Sequence, residues 1–252
     1  MMTGKSQFKK IIQNQAPDHL LNLGCRLRSM FRHADYSSKS HSDIFSEISR
    51  NKGWGGNSLS GMGSDLEQTE SVRRHLVPLL EEYGVNSLLD LPCGDFYWMK
   101  LVDLGKRRYL GGDLVADLIQ ANQQIYESEK RRFVVLDLLQ DSLPDADLIL
   151  CRDCLIHLSN GDIFKALKNI KKSQIAYILT TSYPLLKRNT DILTGDFRAI
   201  NLMMPPFNFP TPLAIIPENT FPEQKDNPNF IRELCLWRVA DLKVMESSLL
   251  PF

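Results

Sequence analysis

The feature that most constrains this chain is an alternation over residues 87–182, in which short apolar runs, four of them closing on an aspartate, are separated by segments of helical periodicity. The pattern predicts strands over 87–91, 108–113, 132–138, 146–151 and 175–182, with helices around 96–104, over 116–129 and over 160–171. Strands and helices alternating at this spacing belong to an α/β domain built on an open, doubly wound, mostly parallel sheet with helices on both faces. In such sheets a ligand sits beyond the carboxyl ends of the strands, near the topological switch point. The strand ends are therefore where function is to be sought.

Those ends are unusually acidic. The first reads Asp90-Leu91-Pro92-Cys93-Gly94-Asp95, a strand entering a turn that one glycine permits, which is a common way to bring backbone close to a small ligand. A plain strand-to-helix connection is the alternative. The second strand closes on Asp113, nineteen positions after Gly94, where an acid can accept hydrogen bonds from both hydroxyls of a ribose; an acid there is also often only a helix cap. The third reaches Asp137, placed to accept from an adenine amino group, and the fourth closes on Asp153. If Asp153 opens a helical turn, His157 falls on the same face four positions later and the pair presents a carboxylate and an imidazole to one site. Turn capping by Asp153 and a packed, hydrogen-bonded His157 are the plainer readings.

The flanks differ in character. Apolar residues between 5 and 33 are spaced for two amphipathic helices broken near Pro17, so residues 1–43 read as an N-terminal helical extension. Residues 44–65 carry five glycines between Gly53 and Gly63 around Trp54, a composition suited to a lid loop over a ligand. Residues 66–83 read as a helix with a kink or boundary at Pro78. The segment 185–232 concentrates prolines and excludes long helices, which leaves strand and loop near a sheet edge. Residues 66–252 thus form the main α/β domain.

Composition narrows the partners. Thirty basic and thirty acidic residues cancel, so no basic footprint for nucleic acid is present and such partners are disfavoured. Five cysteines, Cys25, Cys93, Cys151, Cys154 and Cys235, are an odd number in a chain large enough to fold without staples, which points to reduced thiols and the cytoplasm. Cys151-x-x-Cys154 has redox or half-zinc spacing, but no second pair completes four ligands, so no metal site is expected. No uncharged stretch approaches a membrane-spanning length.

Over roughly residues 85–184 the chain resembles the class I S-adenosylmethionine-dependent methyltransferases. "LLDLPCGD" is similar to their first motif, with Pro92 in the first glycine position and Asp95 after Gly94; "YLGGDL", "VVLDLL" and "ADLILCRDCLIHLS" resemble the second, third and fourth. The resemblance implies S-adenosylmethionine as cofactor. Asp90, Pro92, Cys93 and Gly94 would lie near its methionine portion, Asp113 and Leu114 at the ribose, Asp137 and Leu138 around the adenine, and Arg152 beside the fourth strand end. Trp54 and the Ser58–Ser64 loop would form a cover. It also implies a seven-stranded, Rossmann-like sheet with an antiparallel closing strand, for which residues 233–240 are the candidate. Asp153 and His157 are the candidate catalytic pair.

"MPPF" (204–207) is similar to a motif of amino-group methyltransferases, but Met204 cannot accept the required hydrogen bond and the tetrapeptide follows the fifth strand. Tyr183, Asn201 and Phe207 remain candidates to line an acceptor pocket, against the default of a proline-rich surface loop. The expected activity is methyl transfer to an oxygen, nitrogen or carboxylate of a small molecule or glycan. Two alternatives stand: an NAD(P)-dependent oxidoreductase, disfavoured because residues 90–98 hold only one glycine, and a non-catalytic S-adenosylmethionine-binding module.

Overall fold

The computed structural model describes residues 36, 38–218, 221 and 227–243. The chain divides into two units, Met1–Ser40 and His41–Phe252, and the architecture below is that of the second. The two helices expected between residues 5 and 33, and Cys25, lie outside the described residues.

Helix α1 (His41–Arg50) leads into the glycine-rich loop, and α2 (Glu70–Glu82) precedes the sheet. Strands β1 (Ser87–Asp90), β2 (Arg108–Asp113), β3 (Arg131–Val135), β4 (Leu148–Cys151) and β5 (Tyr177–Ser182) follow, with α3 (Ala116–Tyr126) between β2 and β3 and α4 (Asn160–Lys172) between β4 and β5. Two further strands, β6 (Ala214–Pro217) and β7 (Glu233–Arg238), complete a seven-stranded sheet of order β3-β2-β1-β4-β5-β7-β6. The first five strands pair in parallel; β7 runs antiparallel to both β5 and β6. The expected antiparallel strand is β7, inserted between β5 and β6, so the short β6 forms the sheet's edge.

Strands buried on both faces carry continuous apolar runs rather than alternation, and β1 and β4 are buried at every position. Successive residues point to opposite sides. Leu89, Ile149, Ile178, Cys235 and Trp237 pack with Ile163, Phe164, Leu167 and Ile170 of α4; Leu88, Leu148, Leu150, Leu179, Leu234 and Leu236 pack with Val72, Leu76, Leu79 and Leu80 of α2 and Ile119 of α3. The sheet is covered on both faces, as the alternation requires.

The expected helix around 96–104 does not form. Gly94 and Phe96 take positive φ (56° and 55°), which breaks the right-handed path, and only a short 3₁₀ turn survives at Met99–Leu101. Pro78 sits within α2 without ending it. The first seven residues assigned to the 44–65 loop are helical, because Ile44 and Ile48 are buried. Strand β3 stops at Val135, since Asp137 begins a self-capped turn: its carboxylate accepts from Leu139 N at 2.8 Å and Gln140 Nε2 at 2.8 Å. Among the described residues, no helix is long and apolar enough to cross a membrane, and no group of three His, Cys, Asp or Glu side chains is placed to hold a metal.

Candidate active site

The ends of β1, β2 and β4 and the turn after β3 open into one cavity of about 1140 Å³, counting space open to solvent, roofed by α1 and the glycine-rich loop. Asp90, Pro92, Cys93, Gly94, Asp113, Leu114, Asp137, Leu138, Arg152, Asp153, His157 and Trp54 all line it.

The turn after β1 is tied to the end of β2. Asp113 accepts from Gly94 N and from Val115 N, each at 2.9 Å, and Asn122 Nδ2 donates to Gly94 O at 2.8 Å. The Asp113 carboxylate thus braces the backbone that approaches the cavity and still has lone pairs for a diol, since an ionised carboxylate offers about four acceptor positions. Tyr109 OH donates to Asp90 Oδ2 at 2.6 Å. Burial pushes the Asp90 carboxyl up to about 7, against the Tyr109 hydrogen bond, and pushes Asp113 up to about 6, against its backbone donors.

At the end of β4 the electrostatics reverse. Arg152 and Arg232 alternate with Asp153 and Glu218 in a buried four-membered cluster: Arg152 Nε–Glu218 Oε1 2.5 Å, Arg152 Nη1–Asp153 Oδ2 3.2 Å, Arg232 Nη1–Asp153 Oδ2 3.0 Å and Arg232 Nε–Glu218 Oε2 3.0 Å. Burial alone would raise Asp153, but the two guanidinium groups hold it at about 2. Asp153 does not open a helical turn; its φ is 49°, and its N–H donates to Thr181 Oγ1 at 2.9 Å.

His157 ends the 3₁₀ turn Leu155–His157. Its Nδ1 lies 2.8 Å from Asp196 O, and because a carbonyl only accepts, Nδ1 carries the hydrogen and Nε2 keeps a lone pair in the neutral ring. Burial lowers its pKa despite the Asp196 carbonyl and the Asp153 charge. The Trp54 indole stacks on the imidazole, with centroids 4.7 Å apart and planes at 30°.

Several expectations need correction. Tyr183, Asn201 and Phe207 are not among the cavity-lining residues: Tyr183 and Phe207 belong to the core, the latter with its ring 5.6 Å from Phe164. Asn201 Nδ2 donates to Pro184 O and Leu186 O at 3.0 and 2.9 Å, so its polar atoms hold a loop together. Arg152 lines the cavity with every nitrogen engaged, the third through Nη2 to Gly63 O at 2.8 Å, and so ties the glycine-rich loop to the end of β4. Asp137 lines the cavity while its carboxylate also caps its own turn.

Sequence reasoning missed Asp95, Phe45, Glu218 and Arg232. Asp95, noted only as a departure from the first motif, accepts from Ser58 Oγ at 2.7 Å and Leu59 N at 2.8 Å and so docks the glycine-rich loop on the turn. Gly94 is required there: a Cβ would lie 1.9 Å from Ser60 Oγ. Glu218 and Arg232 were hidden in the segment after β5, where the only signal is a charge abutting each apolar strand run.

No family model matches this chain, and no curated protein matches it in sequence. Solved structures do. The N-methyltransferase NodS from Bradyrhizobium japonicum WM9, in complex with S-adenosyl-L-homocysteine, is similar at TM-score 0.54 and 16% identity over 77% of this chain and 97% of that one. Magnesium protoporphyrin IX methyltransferase from Synechocystis PCC 6803, with bound S-adenosylmethionine, is similar at TM-score 0.52 and 14% identity, covering 80% and 98%. Human N-acetylserotonin methyltransferase in complex with S-adenosylmethionine is similar at TM-score 0.50 and 15% identity over 79% of this chain, which spans 60% of the human protein's length. At this identity the likeness is one of architecture. The chain has the fold of the S-adenosylmethionine-dependent methyltransferases.

Proposed function

We propose that this protein is a class I S-adenosylmethionine-dependent methyltransferase acting on an oxygen or nitrogen of a small molecule or glycan. The observation that carries the reading is Asp113, a carboxylate at the end of β2, braced by Gly94 N and facing a cavity lined by Leu114, Leu118 and Leu138. An acid for a diol beside apolar side chains for a purine is the donor set an adenosyl ligand needs. When bound, the cofactor supplies a methyl group on a sulfonium, an already activated leaving group.

The chain's remaining work is to align the acceptor and take its proton. His157 is suited to the proton, being neutral because burial lowers its pKa and keeping the lone pair on Nε2. Asp153 is not, since a carboxylate held at about 2 between two arginines is a poor base; its charge instead supports the imidazole. A dinucleotide reading is weaker, because a pyrophosphate needs open backbone at the first turn. Ser60 Oγ would lie 1.9 Å from a Cβ on Gly94, so the side of the turn on which a side chain would stand is already filled.

Calorimetric titration of S-adenosylmethionine, S-adenosylhomocysteine and NAD, on wild type and Asp113→Ala, tests the reading. Binding of the adenosyl pair with a loss of roughly 2–3 kcal/mol in the variant is expected, from two hydrogen bonds to a charged acceptor. Binding of NAD alone would overturn it.

A further inference from the structure

We propose that Asp95 is a positioning residue: it latches the 51–65 loop over the cavity, so that ligand exchange waits on its release and Trp54 rests on His157 only while it holds. The ligand named here is adenosyl, so that half of the inference rests on the function proposed above. The Asp95 side chain, at the cavity's edge directly after Gly94, turns its carboxylate to the loop. Its carboxylate accepts from Ser58 Oγ (2.7 Å), Leu59 N (2.8 Å) and Ser60 Oγ (3.3 Å), while its own N–H donates to Ser60 Oγ at 3.2 Å. Ser58 Oγ in turn accepts from Ser60 N at 2.9 Å. Both hydroxyls spend their one hydrogen on the carboxylate and accept from an amide, so the network asks for a group at position 95 that only accepts. An ionised aspartate meets that demand and an asparagine does not.

The loop is built to move as a piece. Asp65 Oδ1 accepts from Asn57 N at 2.8 Å and closes its base, and Met62 N reaches Trp54 O at 3.4 Å. Positive φ at Lys52, Gly55, Gly56 and Gly61 places bends at its start and inside it. A second anchor, Arg152 Nη2 to Gly63 O at 2.8 Å, holds the far limb. Gly63 packs so close to Asp153 that a Cβ would fall 2.6 Å from Oδ2. The latch, the buried cluster and the Trp54–His157 stack therefore meet in one loop. A loop released at Asp95 withdraws the indole from the imidazole and exposes the cavity together.

The test is the dissociation rate of S-adenosylhomocysteine by stopped flow, with Trp54 emission (wild type minus Trp54→Phe) as a ligand-free readout. Asp95→Asn and Ser58→Ala/Ser60→Ala should each speed dissociation about tenfold or more, shift Trp54 emission to the red, and combine without adding, because they break one network. Rates and emission unchanged in both variants, or effects that add in full, overturn the latch. If wild type binds no adenosyl ligand, the proposed function fails and the latch is decided by emission alone: a red shift in Asp95→Asn supports it and an unchanged spectrum overturns it. The serine pair decides the matter if the Asp95 variant does not fold.

Discussion

Asp90 and Asp113 take their hydrogen bonds from a phenol and from backbone amides, whereas Asp153, at the end of the strand beside β1, is half-buried between two guanidinium groups. One cavity thus holds carboxylates of opposite design. The first pair is raised toward neutrality by desolvation and can change protonation when a ligand arrives. The second is pinned in its charged form and cannot. Desolvation acts on both; what differs is that two guanidinium groups contact Asp153 directly while, among the described residues, none contacts Asp90 or Asp113, and that decides which acid can respond and which can only support.

Breaking the pinned end should cost most. Glu218→Ala leaves Arg152 and Arg232 facing Asp153 alone, an uncompensated buried cation, and is expected to destabilise the fold by about 3–5 kcal/mol in chemical denaturation. A loss below about 1 kcal/mol would mean that solvent reaches the cluster and that the contrast with Asp90 is smaller than drawn.

The responsive end should show itself in pH dependence. The folded pKa of Asp90, about 7, lies above its unfolded value near 4, so the stability it contributes is complete below about pH 4 and is lost as pH rises through 7. Asp90→Asn, which can still accept from Tyr109, should remove that decline and gain on the order of 3 kcal/mol relative to wild type at pH 8 compared with pH 4. Urea unfolding across pH 4–8 measures it; parallel curves for the two proteins would refute the raised carboxyl. Asp153 carries the opposite sign. Its folded pKa of about 2 gives stability present above about pH 4 and lost as pH falls through 2, roughly 2–3 kcal/mol that Asp153→Asn should lack above pH 4, leaving its acid limb flatter than wild type's.

Legibility followed the range of the interactions. Asp90, Gly94, Asp113 and Asp137 could be found because each ends a strand or its turn, and strand ends are written locally as apolar runs that stop. The helix expected around 96–104 failed because apolar spacing does not report the positive φ that Gly94 and Phe96 adopt. Phe207, expected to line an acceptor pocket, was misplaced for a related reason: a proline-rich segment reads as loop, yet Ile200, Leu202, Phe207 and Phe209 fold back into the core. Nothing in local spacing pairs Arg152 with Glu218, sixty-six residues on, or Asp95 with Ser58, thirty-seven residues back. Such contacts are made by topology, and the sequence shows only the separate charges.

His157 sits between the two designs and gives the smallest but sharpest test of the contrast. Burial lowers its pKa below the usual imidazole value, while the Asp196 carbonyl and the Asp153 charge pull it back up. The ring should therefore titrate below about pH 6.5, measured by the NMR shift of its Cε1 proton, with folding stability rising with pH through that range because the unfolded chain binds the extra proton. Asp153→Asn removes one of the upward pulls and should move the midpoint further down. A wild-type midpoint at or above about 6.5 would make the ring an imidazolium over more of the neutral range and remove its claim as the base. A midpoint indifferent to Asp153 would instead confine the pinned carboxylate to holding Arg152, Arg232 and the loop.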